Sequence, residues 1–329
     1  MQAGLGTRMD LRMSYFWRKS RKSNVSSALR REGKDVRQMK PPPFSYHDPA
    51  TLQQAVDLLA TLDNAKPLAG GQSLMPMLNM RFVLPDHVVD LNGVAELAGV
   101  RVTDTHVEIG AMTRQRDIEF SAEVADACPI LIEALHYVGH RQTRNRGTVG
   151  GSLCHLDPAA ELPTLACALD AVIDVIGPKG ARAIAFADFP VGYMTPSIEL
   201  DEIVTRVSFP LWPREAGHAF QEFARRHGDF AIVSCAAMLL VDGGGRISRA
   251  AIALGGVIAT PLRMHEVEEA LVGQPATPAT FHAAADLCRK VDAVGDVYVP
   301  ASYRQHLASV MTRRALDQAF ARCNAPARH

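Results

Sequence analysis

Residues 141–163 read RQTRNRGTVGGSLCHLDPAAELP, and no other run of the chain sets as many constraints in as short a span. At its centre, Thr148-Val149-Gly150-Gly151-Ser152 places two glycines between hydroxyl residues, entered from Arg141, Arg144 and Arg146. Glycine lacks a Cβ, so the backbone can reach positive φ and a ligand can press against consecutive N–H groups, which together make a concave anion site. Such a loop suits a phosphate. Pro158 then opens a short predicted helix over 159–168, with Asp157 and Glu161 near its start. A carboxylate there can accept hydrogen bonds from sugar hydroxyls while the loop holds phosphates, which is the division of labour a dinucleotide requires. The plainer alternative is a glycine turn followed by a solvated acidic helix start.

A second loop of the same make argues against that alternative. Leu68-Ala69-Gly70-Gly71-Gln72-Ser73-Leu74 again pairs two glycines with polar residues, ahead of an apolar stretch in which Met75, Met77, Leu78 and Met80 are expected to pack beneath the loop. Two such loops suggest one diphosphate gripped from two sides. The chain has no G-x-G-x-x-G opening a βαβ helix and no G-x-x-x-x-G-K-S/T, so the Rossmann and P-loop readings lose their main support. Six scattered cysteines without a C-x-x-C pair also argue against an iron–sulfur or zinc site in this chain, so no metal ligands are assigned.

The 329 residues favour two or three domains over one core. Zero net charge hides an asymmetry: residues 1–40 hold eleven Lys and Arg against three Asp and Glu, a net +8 that leaves −8 for the remainder. That head has no continuous apolar region, so it is neither a secretory signal nor a membrane helix, and its composition reads as a basic, disordered extension of a cytoplasmic protein. Further on, Leu52, Ala55, Val56, Leu58 and Leu59 fall at helical spacing, and short strands are expected at 66–69 and 88–91. Hairpins follow at 99–109 and 171–185, with Thr113 as a candidate cap and a helix over 130–138. A three-stranded antiparallel meander is expected from 218–225, 231–241 and 247–254, then helices over 281–291 and 303–321.

The motifs AGGQSL at 69–74, RNRGTVGGSLCHLDPAAELP at 144–163, RRHGDFAIV at 225–233 and SYRQHLASVMTRRAL at 302–316, in this order, resemble the FAD-binding medium subunits of the molybdenum hydroxylases, the family of xanthine dehydrogenase and carbon monoxide dehydrogenase. The resemblance implies an α+β chain: a two-subdomain FAD-binding domain of the p-cresol methylhydroxylase/vanillyl-alcohol oxidase type (39–92 and 93–213), then a C-terminal domain (214–329) with a three-stranded antiparallel sheet and helices. It leaves 1–38 as the basic extension and, because MKPPPFSYHDPATLQQAVDLLA resembles the usual family opening, puts the expected start of translation at Met39.

Carried over by motif, Ala69, Gly70, Gly71, Gln72, Ser73 and Leu74 would form one side of the FAD diphosphate cradle, and Thr148, Val149, Gly150, Gly151 and Ser152 the other. Glu161 occupies the acidic position implied to hold the adenosine ribose, while Asp157 is placed to cap the helix after Pro158. Phe230 stands where some relatives place a Tyr near the flavin, and Gln221 where some carry a Lys. Arg144 and Arg146 are candidates for phosphate contacts or for structural ion pairs. His140, His155 and His227 read as structural, and no catalytic side chain is assigned. The implied partners are a small subunit with 2Fe–2S clusters and a large subunit with the molybdopterin cofactor, in a dimer of heterotrimers. The alternatives are a self-contained flavin oxidase or reductase, for which Cys154-His155 would be a candidate covalent attachment site, and a scaffold that has lost the flavin.

Overall fold

The computed structural model describes residues 40–323. The expectations for the basic head and for Met39 lie outside them.

The first unit is parallel. It runs β1 (Ser45–His47), α1 (Leu52–Thr61), β2 (Ala65–Leu68), α2 (Leu74–Asn79) and β3 (His87–Asp90), in the sheet order β1-β3-β2. Thr51 and Gln54 close a capping box at the start of α1, which buries Ala55, Val56 and Leu59 against Val89 and Leu91. Of the four residues expected beneath the first glycine loop, Leu78 is fully buried and Met75 and Met77 half-buried, but Met80 is half-exposed at the end of α2.

The second unit is an antiparallel sheet with helices on one face. Its elements are β4 (Val100–Val102), β5 (His106–Gly110), α3 (Gln115–Glu119), α4 (Ala122–Ala127), α5 (Pro129–Leu135), α6 (Arg141–Arg146), α7 (Val149–His155), α8 (Glu161–Ala168), β6 (Val172–Gly177), β7 (Gly180–Ala185), β8 (Pro190–Gly192), β9 (Thr195–Pro196) and β10 (Ile203–Pro210). The long strand β10 joins the two hairpins, giving the order β4-β5-β10-β6-β7. Strand alternation points Val107, Ile109, Ile173, Val175, Val207 and Phe209 at the helices. The other face carries Arg101, Glu108, Arg206 and Asp174, paired with one another. Thr113 caps no helix; its hydroxyl instead bonds Gly99 N–H and C=O, both at 2.9 Å, pinning the edge strand.

The C-terminal unit contains β11 (Gly217–Phe223), β12 (Val233–Val241), β13 (Ile247–Gly255), β14 (Leu262–Arg263), α9 (His265–Leu271), α10 (Pro278–Asp286) and α11 (Ala301–Arg322). The expected meander is present, with β14 as a fourth, two-residue strand. The sequence of β12, VSCAAMLLV, is apolar throughout because both faces are covered. Val233, Cys235, Ala237 and Leu239 meet this unit's own helices, whereas Ala236 and Met238 meet the helices of the second unit. The C-terminal sheet is therefore sandwiched, with α8 and α5 on one side and α11 on the other. At Gly217 the fit leaves no room for a side chain: a Cβ there would lie 1.8 Å from the Ala319 carbonyl oxygen of α11.

Candidate dinucleotide-binding site

The first glycine loop joins β2 to α2. Gly71 takes φ +73°, a left-handed conformation that favours glycine, and the Gln72 side chain folds back to donate to Gly70 O at 3.1 Å. Among the described residues, the backbone N–H groups from Gly70 to Leu74 find no acceptor. Five consecutive free donors on a turn are what a phosphate requires.

The second glycine element differs from the expected loop. Thr148 is an N-cap, and Gly150, Gly151 and Ser152 form the first turn of α7, where the N–H groups already have partners. Val149 N donates to Thr113 O at 3.3 Å, Gly150 N to Ala111 O at 2.9 Å, Gly151 N to Thr148 Oγ1 at 3.1 Å and Ser152 N to Thr148 O at 3.1 Å. Its glycines serve close approach instead. A Cβ on Gly150 would lie 2.6 Å from Ala111 Cβ, and one on Gly151 would lie 3.4 Å from Ala69 Cβ, so the first loop rests on this turn. Val149 turns its side chain into the core, leaving the Thr148 and Ser152 hydroxyls as the polar groups this turn contributes.

Two residues that the sequence reading did not single out lock the loops together. Asn92 Nδ2 donates to Ala69 O at 3.0 Å, Arg114 Nη1 donates to Arg146 O at 2.7 Å, and Arg114 also donates to the Asn92 side-chain oxygen. Burial, and then the neighbouring Arg146 charge, push the Arg114 guanidinium pKa down. The two cations lie close together near the free N–H donors, with Asp90 and Asp117 offsetting part of their charge. Neither residue lies in a glycine motif, and the only sequence signal was an Asn directly after a strand.

Of the two arginines left open by sequence, Arg144 is structural. It is buried, with Nε and Nη2 on Glu119 at 2.8 and 3.1 Å and Nη1 on Val138 O at 2.9 Å. Arg146 is exposed, and its backbone carbonyl is the group used by the clasp. His140 packs against Gly228, and His155 is half-buried, with burial holding its pKa low.

The helix expected over 159–168 begins at Glu161. Asp157 does not cap it; its carboxylate accepts from Ala159 N at 2.9 Å and holds the turn ahead of the helix. Glu161 is 8% exposed and makes no hydrogen bond to another residue among the described ones. Burial pushes its carboxyl up to about 7. An isolated carboxylate at this depth is costly unless a ligand supplies donors.

Gln221 does not face this site. Its amide bonds the Gln318 side chain of α11, on the opposite side of the C-terminal sheet from α8. The residues of β11 on the other face are His218, whose ring lies 3.9 Å from Glu133 of α5, Phe220, which packs in the core of the second unit, and Glu222, which sequence reading passed over. Phe230, on the loop after β11, is 72% exposed.

Comparison with known proteins matches this architecture. Residues 42–212 fit the family of FAD-binding domains in molybdopterin dehydrogenases, and residues 218–319 fit the C-terminal domain of the carbon monoxide dehydrogenase flavoprotein. The chain is 40% identical to the alpha subunit of the 6-hydroxypseudooxynicotine dehydrogenase complex of Paenarthrobacter nicotinovorans, over 86% of this chain and 97% of that one. It is 36% identical to the carbon monoxide dehydrogenase medium chain of Hydrogenophaga pseudoflava, over 87% and 100%. The solved carbon monoxide dehydrogenase of that organism, in a form lacking the Mo-pyranopterin moiety, superposes with a TM-score of 0.83 at 38% identity, covering 86% of this chain and 99% of that one. Quinoline 2-oxidoreductase from Pseudomonas putida 86 gives a TM-score of 0.82 at 36% identity, over 85% and 98%. The four motifs, the two stacked glycine turns and the C-terminal sheet thus have one common origin: the chain belongs to the FAD-binding subunits of the molybdenum hydroxylase family.

Proposed function

We propose that the chain is the electron-transfer subunit of a heterotrimeric hydroxylase, receiving electrons from a small 2Fe–2S subunit and passing them to an external acceptor, while a large molybdenum subunit oxidises the substrate. The observation that carries this reading is the clasp. Five unpartnered N–H donors sit on a loop that rests against the first turn of α7, close to Arg114 and Arg146, and the buried Glu161 carboxylate at the start of α8 has no hydrogen-bond partner in another described residue. That set fits FAD: the 70–74 amides and the Thr148 and Ser152 hydroxyls would hold the diphosphate, and Glu161 the adenosine ribose. In this division 39–92 and 93–213 form the cofactor domain, and 214–329 covers it. Bound FAD supplies the conversion between single-electron and paired-electron transfer. The protein's part is to bind, orient and shield it.

Non-covalent attachment is favoured. Burial pushes the Cys154 thiol up to about 12, so it holds its proton at neutral pH and is a poor nucleophile. All six cysteines are free, which supports a cytoplasmic location, and among the described residues no helix is long and apolar enough to cross a membrane.

The test is the visible spectrum of the purified chain before and after acid precipitation. Flavin bands that move into the supernatant are the expected result. Colour that stays with the pellet would favour the self-contained oxidase with covalent flavin, and no bands after FAD is added would remove the cofactor reading. Within the site, Glu161→Gln is expected to weaken FAD about tenfold to a hundredfold, the loss of about 1.5–3 kcal/mol that follows removal of a charged acceptor. Equilibrium titration followed by flavin fluorescence checks it. Co-purification of two further chains tests the heterotrimer, and the mass of the assembly tests its pairing into a dimer.

A further inference from the structure

A further set of polar contacts stands behind the clasp. Asp90 closes β3, the central strand of the first sheet, with Leu68 of β2 opposite it and Tyr46 of β1 diagonal to it. Its carboxylate accepts from three donors: Tyr46 Oη to Oδ2 at 2.6 Å, and Asn92 N, at 2.9 Å, and Asn92 Nδ2, both to Oδ1. Burial works to raise the Asp90 carboxyl, but the bonds from Tyr46 and Asn92 more than offset it and hold it below the usual aspartate value, so at neutral pH it can only accept. The Asn92 amide has ends of opposite sign. Its Nδ2 serves Ala69 O at 3.0 Å as well as Asp90, and its oxygen accepts from Arg114. Turned over, it would set its oxygen against two acceptors and its NH2 against a guanidinium, and the clasp would hold nothing. Ala69 and Arg114 belong to the elements being held, whereas Asp90 is anchored in the sheet by strand pairing and by Tyr46.

We propose that Asp90 is a positioning residue for the cofactor diphosphate: from the sheet it fixes the Asn92 amide, which in turn fixes the Ala69 carbonyl at the head of the loop whose amides face the phosphates, with Tyr46 as the outer link. This rests on the reading of the 70–74 amides given above. The sign of the effect separates this role from two simpler ones. A carboxylate near Arg114 and Arg146 subtracts from the local positive charge, so on charge alone its removal would tighten an anionic ligand. As N-cap of the short turn Leu91–Gly93 it accepts from Asn92 N, a task that serine performs about as well. Positioning needs reach to the Asn92 side chain as well, which asparagine keeps and serine lacks.

The test is equilibrium titration of the full chain, freed of flavin, with FAD, read by flavin fluorescence, for the wild type, Asp90→Asn, Asp90→Ser and Tyr46→Phe, with urea midpoints alongside. Asp90→Asn is expected to bind FAD within about threefold of the wild type, on the tighter side, because it keeps the contact and removes the opposing charge. Asp90→Ser is expected to bind about tenfold more weakly at a urea midpoint close to that of Asp90→Asn, and Tyr46→Phe about threefold more weakly or less. In an Asn92→Ala background, itself weakened, Asp90→Ser is expected to add no further loss. Serine binding as well as asparagine would reduce Asp90 to a cap of the turn, and tighter binding by both would reduce it to a charge; either result overturns the proposal. So would a full additional loss in the Asn92→Ala background. A wild type that binds no FAD would fail one step earlier, at the proposed function.

Discussion

Gly70→Ala is expected to leave a folded chain that no longer retains FAD, with affinity down by at least about a hundredfold. An added Cβ at this position would lie 2.1 Å from Arg146 O, 2.8 Å from Arg146 C and 2.9 Å from Gly147 Cα. All three are backbone atoms, so no rotamer change relieves the contact, and the first loop must lift off the turn that opens α7. That movement breaks the geometry in which Asn92 holds Ala69 O and Arg114 holds Arg146 O, and so misaims the five free amides as a group. Losing even two hydrogen bonds to a charged diphosphate costs about 3 kcal/mol or more, which is about two decades of affinity. The contrast with its neighbour makes the argument specific. Gly71→Ala meets only side-chain atoms, Met75 Cγ at 3.2 Å and Leu68 Cδ1 at 3.4 Å, and its main penalty is the φ of +73°, worth about 1 kcal/mol, so it should weaken FAD by about tenfold or less. Gly243→Ala, on a turn with no atom within 4 Å of its Cβ, should change nothing. Flavin content of the purified variants, with circular dichroism as the fold control, separates the three.

Why the sequence exposed the glycines but not their division of labour is a matter of what local pattern can encode. A Gly-Gly pair reports that Cβ atoms are unwelcome; it does not report whether a ligand or another backbone takes the space. Gly70 and Gly150 both meet protein backbone, and Thr148 uses a hydroxyl lone pair to cap α7, which leaves only its O–H for a phosphate. The sheets were legible for a related reason. Alternation in β5 and β6 and the unbroken apolar run of β12 are fixed by how many faces are covered, which composition records directly. Strand β11 is covered on both faces by different partners, so GHAFQEF does not indicate which of Gln221 and Glu222 turns to the cofactor domain. The resemblance put weight on Gln221, and packing against α11 decided otherwise. Helix α9 escaped notice because HEVEEAL anchors itself with Val267 and Leu271 alone, too few for a periodic signal.

Arg144→Met is expected to destabilise the chain by about 3 kcal/mol, the largest effect foreseen for a residue that contacts no ligand. The side chains of Arg144 and Glu119 are 10% and 8% exposed, and the guanidinium makes a two-point contact with the carboxylate while its third nitrogen serves Val138 O. Removing the cation strands a carboxylate in a low-dielectric site, which is far more costly than never having built the pair. Lysine should not restore it, since one ammonium cannot reach both oxygens of Glu119 and the Val138 carbonyl in the same plane. The double variant Arg144→Met with Glu119→Leu should recover most of the loss, because it leaves only the carbonyl without a donor. The pH dependence carries the same signature. The hydrogen bond from Arg144, opposed by burial, holds Glu119 below the usual glutamate range. Its contribution is therefore complete above the unfolded-state pKa and is lost as pH falls through the depressed native one. In Arg144→Met the Glu119 pKa should rise instead, so the gap between wild type and variant in urea midpoint is widest at neutral pH and narrows toward pH 4. A gap independent of pH would assign the loss to packing of the arginine stem and not to the pair. Because Arg144 fixes α6, which runs directly into Gly147 and Thr148, the same variant should also weaken FAD by several-fold, with the deficit in stability and the deficit in flavin content restored together by the second substitution.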